Sequence, residues 1–149
     1  TAWANLFGTN RIAAINPTSF QMREIETPRA NARTRRIAVT SDDLVWYVDY
    51  AGGKLGMVDP TSGEVQEWDV PGGARAQPYA LIADNQDRLW FSETNSQAPR
   101  LVGFDTKTKQ FMLSTAVSAG IRHMVFHAPT NSIWFGTDAN NIGRAALPR

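Results

Sequence analysis

Seven residues carry side chains suited to chemistry and fall at related places in an internal repeat: Arg36, Asp49, Tyr79, Glu93, Arg122, His123 and Asp138. Imidazole is the side chain that exchanges protons near neutrality, which makes His123 the candidate catalytic residue. Glu93 and Asp138 are hard oxygen donors of the kind that hold Mg²⁺ through one or two carboxylates, with waters filling the shell. They are the candidate metal ligands. Arg36, Tyr79, Arg122 and Asp49 offer charge and hydrogen bonds and are the candidate substrate-binding residues. A ring of this composition supports proton transfer or the holding of a hard cation. Each position also has a plainer role open to it, as a solvated loop end or a capping partner. His127, in front of the turn Ala128-Pro129-Thr130-Asn131, reads as structural or solvent-facing. The cluster Arg33, Arg35 and Arg36 reads as a solvated loop, with contact to an anionic ligand as the alternative.

The elements that must position these residues come from the repeat. Leu44-Val45-Trp46-Tyr47-Val48-Asp49, Leu89-Trp90-Phe91-Ser92-Glu93 and Ile133-Trp134-Phe135-Gly136-Thr137 are copies of one stretch, and Trp3-Ala4-Asn5 begins a truncated fourth. The tryptophans Trp3, Trp46, Trp90 and Trp134 are separated by 43, 44 and 44 residues. A period of about 40 to 50 residues with short strands in each unit marks propeller blades. Gly, Asn, Asp and Pro clusters divide each unit into strands a, b, c and d, and no segment sustains a helical period. The fold class is therefore all-β. Strand a is predicted at Arg36–Thr40, Tyr79–Ala83 and His123–Phe126, and strand c carries Gly56, Gly103 or Gly143, where a ring or backbone comes close. The third unit has a slightly longer b–c loop, Asn95 to Pro99. Antiparallel neighbours place the start of a beside the end of b, so Arg36, Tyr79 and His123 share a rim with Asp49, Glu93 and Asp138. With a innermost, that rim surrounds the central channel.

The units read as a blade remnant over 1–28, full blades over 35–71 and 78–116, and an incomplete blade over 121–149. That is three and a half blades, whereas closed propellers need about four to eight. Two blade-sized apolar faces would be left open. The first unit lacks a and the last lacks d, so the expected partner is a missing N-terminal half or a second chain that completes about seven blades. A preceding half fits better than a second copy, because two identical halves would join three strands to three at each junction.

Composition narrows the partners further. Fifteen basic against fourteen acidic residues leave a net charge of +1, which provides no field for nucleic acid or a membrane surface. No apolar run approaches a membrane span of about 18 to 20 residues. Cysteine is absent, which excludes disulfides, thiolate metal sites and a thiol nucleophile. The chain opens at Thr1-Ala2-Trp3 without an initiator Met or a charged-then-apolar leader, so any targeting segment is expected to have been removed or to lie outside it. Trp68-Asp69 occurs once and in strand d, which does not make WD40 blades.

Leu89-Trp90-Phe91-Ser92-Glu93, Lys54-Leu55-Gly56-Met57-Val58-Asp59-Pro60 with Gly63-Glu64-Val65-Gln66-Glu67-Trp68, and Asn141-Ile142-Gly143-Arg144 resemble blades of the virginiamycin B lyase, or streptogramin lyase, family. The resemblance covers essentially the whole chain. It implies a seven-bladed propeller that opens type B streptogramins by Mg²⁺-assisted elimination at the ester, an antibiotic-resistance activity. It also leans toward a periplasmic or extracellular location. By position, His123 matches a functional His, and Asp138 a functional Glu just past the last Trp-aromatic pair. Tyr79 stands where the family has a second His, and Ile121 where it has a Glu two residues before the final His. Two functions follow as expectations: a carbon–oxygen lyase acting on a cyclic ester or depsipeptide, or a non-enzymatic propeller that binds a small ligand or a protein.

Overall fold

The computed structural model describes residues 1–95 and 99–149; the expected longer loop from Asn95 to Pro99 lies in part outside them. Among the described residues, fourteen strands form four antiparallel meanders. The first sheet is β1 (Ala2–Leu6), β2 (Arg11–Ile15) and β3 (Met22–Glu26). The second is β4 (Thr34–Val39), β5 (Val45–Asp49), β6 (Lys54–Val58) and β7 (Val65–Asp69), and the third is β8 (Pro78–Ala83), β9 (Leu89–Glu93), β10 (Arg100–Asp105) and β11 (Gln110–Ala116). The last is β12 (Ile121–His127), β13 (Ser132–Thr137) and β14 (Ile142–Ala146), with a 3₁₀ turn at Ala128–Thr130. Strands β4, β8 and β12 pack side by side and form the inner layer. The architecture is a partial β-propeller.

Period-two alternation in strand b explains the Trp-aromatic signature. Side chains of a strand point alternately to its two faces. In β5, Val45 and Tyr47 pack with Ile12 and Ile25 of the preceding blade, while Trp46 and Val48 pack with Leu81, Leu89 and Phe91 of the next. One blade later, Leu89 and Phe91 face back and Trp90 packs forward onto Ile133 and Leu147. Strands β5 and β9 are buried throughout for this reason. A ring of this size removes about 150–250 Å² from water, an upper estimate of about 4–6 kcal/mol per buried Trp. Trp134, with no blade in front of it, is 40% exposed, and Val125 and Ile142 on the same sheet are 61% and 82% exposed.

The hairpin ends are set locally. Asn16, Asp59 and Asp105 each accept two backbone N–H groups in the c–d turn, such as Thr61 at 2.7 Å and Lys107 at 2.8 Å. Such Asx turns fold the chain back with a left-handed residue before strand d, here Phe20, Gly63 or Lys109. A Cβ on Gly56 would lie 2.0 Å from the Tyr47 ring and one on Gly143 2.2 Å from Phe135, so the glycines of strand c make room for the rings of strand b.

Candidate functional site at the channel mouth

Every inner strand begins with a bulge. Thr34 lies opposite Asp49 and Ile37 opposite Tyr47, leaving Arg35 and Arg36 against the single residue between. Pro78 and Leu81 bracket Tyr79 and Ala80 in the same way, and Arg122 is the extra residue between Ile121 and His123. A bulge adds a residue to one strand and re-aims its side chains, which is why bulges gather at functional rims. The buried Ser92 hydroxyl secures two of them. It accepts the N–H of bulged Ala80 at 3.0 Å and donates to the carbonyl of Ile121 in the next blade at 2.6 Å.

The bulges revise the alignment of the blades. The inner strands start at Thr34, Pro78 and Ile121, earlier than the expected Arg36, Tyr79 and His123. Ile37, Leu81 and Met124 oppose Tyr47, Phe91 and Phe135. Counting back from them makes Arg35, Tyr79 and Arg122 counterparts, and pairs Arg36 with His123. The last blade has one residue more between the partners, which shifts its sequence frame. Arg35, expected with Arg33 and Arg36 in a solvated loop or against an anionic ligand, lies instead on β4 and was not among the rim candidates. It stands 11 residues before Trp46, as Tyr79 does before Trp90, and that spacing is the signal that would have found it.

Five of the seven candidates come together. The Arg36 guanidinium lies 2.9 Å from Nε2 of the exposed His123. Guanidinium has no acceptor, so Nε2 accepts and the imidazole proton sits on Nδ1. Tyr79 is buried, and its hydroxyl accepts a hydrogen bond from Arg35. Arg35, Arg36 and Arg122 lie 4.3, 5.2 and 5.2 Å from the centre of its ring. The hydrogen bond from Arg35 holds the phenol below its ordinary value against the opposing effect of burial, with Arg122 and the charge of Arg36 adding to it. Asp138 accepts from Nε of Arg122 at 2.8 Å, both side chains half-exposed.

Asp49 and Glu93 are placed differently. Asp49 is fully buried and accepts from Arg29 Nε at 3.0 Å, the Arg33 N–H at 2.8 Å and the Ala51 N–H at 3.0 Å. Glu93 is 2% exposed, accepts the Gly72 N–H at 2.7 Å, and is pushed up by burial, partly offset by that bond. Each carboxylate at the end of strand b therefore pins the loop entering an inner strand. His127 hydrogen-bonds Thr130 across the 3₁₀ turn at 2.8 Å, in keeping with a local role.

As they stand in this chain, these residues do not fit a Mg²⁺ site. Ile121, where the resemblance puts a Glu, is apolar and fully buried. Asp138 is paired with Arg122, and Glu93 is closed off under Gly72. No three His, Cys, Asp or Glu among the described residues gather as metal ligands. A divalent cation at this rim would also face three guanidinium groups.

Four antiparallel meanders, whose inner strands bring polar residues together at one rim, define a partial β-propeller. The chain belongs to the virginiamycin B lyase family, whose model matches residues 1–146. Among solved structures, virginiamycin B lyase from Staphylococcus aureus superposes with a TM-score of 0.73 at 21% identity, over 97% of this chain and 50% of that one. A streptogramin B lyase gives 0.76 at 18% identity, over 98% and 51%. Hydrazine synthase of Kuenenia stuttgartiensis gives 0.79 at 13% identity, over 92% and 40%. The chain thus spans about half the length of these lyases. At these identities the structures share the fold alone. No curated protein matches the sequence significantly.

Proposed function

We propose that this chain is the His123-bearing half of a seven-bladed propeller, closed by an N-terminal half or a second chain, and that it acts as a carbon–oxygen lyase on a cyclic ester or depsipeptide. The observation that carries the reading is His123 at an inner-strand bulge, exposed, with its Nε2 held by Arg36. In an elimination a base takes a proton from the carbon next to the one bearing oxygen. The C–O bond then breaks, a double bond forms, and the electron pair leaves on the carboxylate. His123 serves as that base once Arg36 turns from its Nε2 toward the departing carboxylate. A guanidinium aimed at charge that develops in the transition state favours the step. Family membership and the half-length match to lyases support both the reaction class and the ring closure.

A second reading is a non-enzymatic propeller binding a small ligand or protein partner. It is favoured by Tyr79 and Ile121 in place of the family's second His and Glu, and by the closed position of Glu93. A lyase assay on the completed ring separates the two, run with a streptogramin B ester, with and without Mg²⁺, on wild type and His123→Ala. Ring opening lost in His123→Ala supports the enzyme. No turnover under either condition leaves the binding module, and turnover indifferent to His123 removes the histidine from the reaction.

A further inference from the structure

The guanidinium groups at this rim come from two inner strands, and the rings that hold them from two further sheets. Phe7, just beyond β1, Arg35 and Arg36 on β4, Tyr79 on β8, and Arg122 and His123 on β12 bring one contribution from each of the four sheets. Arg35 is clamped between two rings, 4.6 Å from the centre of Phe7 and 4.3 Å from that of Tyr79. Tyr50 stands edge-on to Tyr79 at 6.1 Å and tilted against Phe7 at 6.4 Å, which makes a continuous aromatic bed. Guanidinium planes held on aromatic faces lose little further freedom when they bind a planar oxyanion.

Two features point outward from this cluster to a ligand. Three guanidinium groups surround one phenol, and among the described ion pairs only Arg122 has a carboxylate, Asp138. Like charges gathered this closely repel unless something negative joins them. In addition, Nε of Arg35 is buried without a hydrogen-bond partner. A buried donor left unmade is destabilising, and an acceptor brought within its reach removes that cost. The Tyr79 phenol, held low first by the hydrogen bond from Arg35 and further by Arg122 and the charges of Arg35 and Arg36, is consistent with these groups.

We propose that Arg35, Arg36 and Arg122, arrayed around Tyr79, form a receptor for a small oxyanionic ligand, a carboxylate or phosphate compound, whose charge is met by guanidinium groups and not by a bound metal. Arg35 and Arg36 offer fork-shaped donors from one bulge, and Arg122 offers another from the neighbouring inner strand but one. Charge-assisted and bidentate contacts of this kind are the strong ones. The inference deepens the reading of the channel mouth as a ligand site. It does not depend on whether the ligand is turned over.

The test is equilibrium titration of the completed propeller with inorganic phosphate and with citrate, by calorimetry in low salt. Either or both should bind at one site, more weakly as salt rises, and without any requirement for Mg²⁺. The stronger probe identifies the ligand as a phosphate or a carboxylate compound. Arg122→Gln and Arg36→Gln should each weaken binding about tenfold, the loss of roughly one charge-assisted contact. Lys107→Gln, exposed in the turn between β10 and β11, should leave it unchanged. Arg122 and its carboxylate are half-exposed, so its variant folds even if Arg36→Gln or a change at the clamped Arg35 does not. No binding of either probe overturns the proposal, as does binding indifferent to Arg122 or dependent on Mg²⁺. Anion binding without lyase turnover removes only the enzyme reading; turnover without anion binding removes only this one.

Discussion

Replacing Ser92 by Ala tests the idea that one hydroxyl holds two inner-strand bulges in place. The Oγ is fully buried between the N–H of Ala80, 3.0 Å away, and the carbonyl of Ile121, 2.6 Å away. The substitution removes the oxygen and strands two buried backbone groups. Each costs about 1–3 kcal/mol when unmade, so Ser92→Ala should lose about 2–5 kcal/mol after partial relaxation. Ser92→Thr, which keeps the oxygen and adds one methyl, should cost about 1–3 kcal/mol through overpacking alone. Urea unfolding followed by tryptophan fluorescence reads the difference, since Trp90 precedes Ser92 by two residues in the same strand. The Ile121 carbonyl directly precedes Arg122 and His123 in the chain, so citrate affinity should fall along with stability. A Ser92→Ala protein within about 0.5 kcal/mol of wild type, with unchanged affinity, would refute the proposed link between blades.

Three further outcomes are expected. Gly56→Ala sets a Cβ 2.0 Å from the Tyr47 ring and should cost about 1–3 kcal/mol or more in urea midpoint measurements, whereas Gly136→Ala, with nothing within 4 Å, should be close to neutral; equal effects would contradict the ring-over-glycine packing. Asp49→Ala strips acceptors from Arg29 and two backbone N–H groups and should destabilise by about 3 kcal/mol, with Asp49→Asn milder because one oxygen remains; the reverse order in thermal melts would count against the pinning role. Burial raises the Glu93 carboxyl above its ordinary 4.5, so the native state binds its proton more tightly than the unfolded chain. The associated stability is complete below that ordinary value and is lost as pH rises through the folded one. Glu93→Gln should therefore gain on wild type between about pH 4 and pH 7, and a constant offset across that range would remove the burial effect.

Much of the architecture could be read from the chain because propellers repeat. The recurrence of Trp3, Trp46, Trp90 and Trp134, the Asx residues Asn16, Asp59 and Asp105, and the ring-clearing Gly56 and Gly143 are local devices, each visible within one unit. All fourteen strands fall within a few residues of where turn residues and alternation predict them. The rim was legible only as a set of types. Nothing local separates Asp49 and Glu93, buried against loop N–H groups, from Asp138, half-exposed on Arg122, because all three end or follow the same strand.

What the sequence by itself determined is the class of fold: period, alternation and turn chemistry are short-range properties that each blade satisfies on its own residues. What only the tertiary structure decided is which side chains meet. Bulges in β4, β8 and β12 each shift the frame by one residue, and a shift of one residue turns a side chain to the other face. Arg35 thereby reaches Tyr79 across a blade boundary, Arg36 reaches His123 from 87 positions away, and Ser92 reaches the next blade. Those contacts depend on blade-to-blade geometry, which is set by the packing of Trp46 and Trp90 against their neighbours and not by any spacing along the chain.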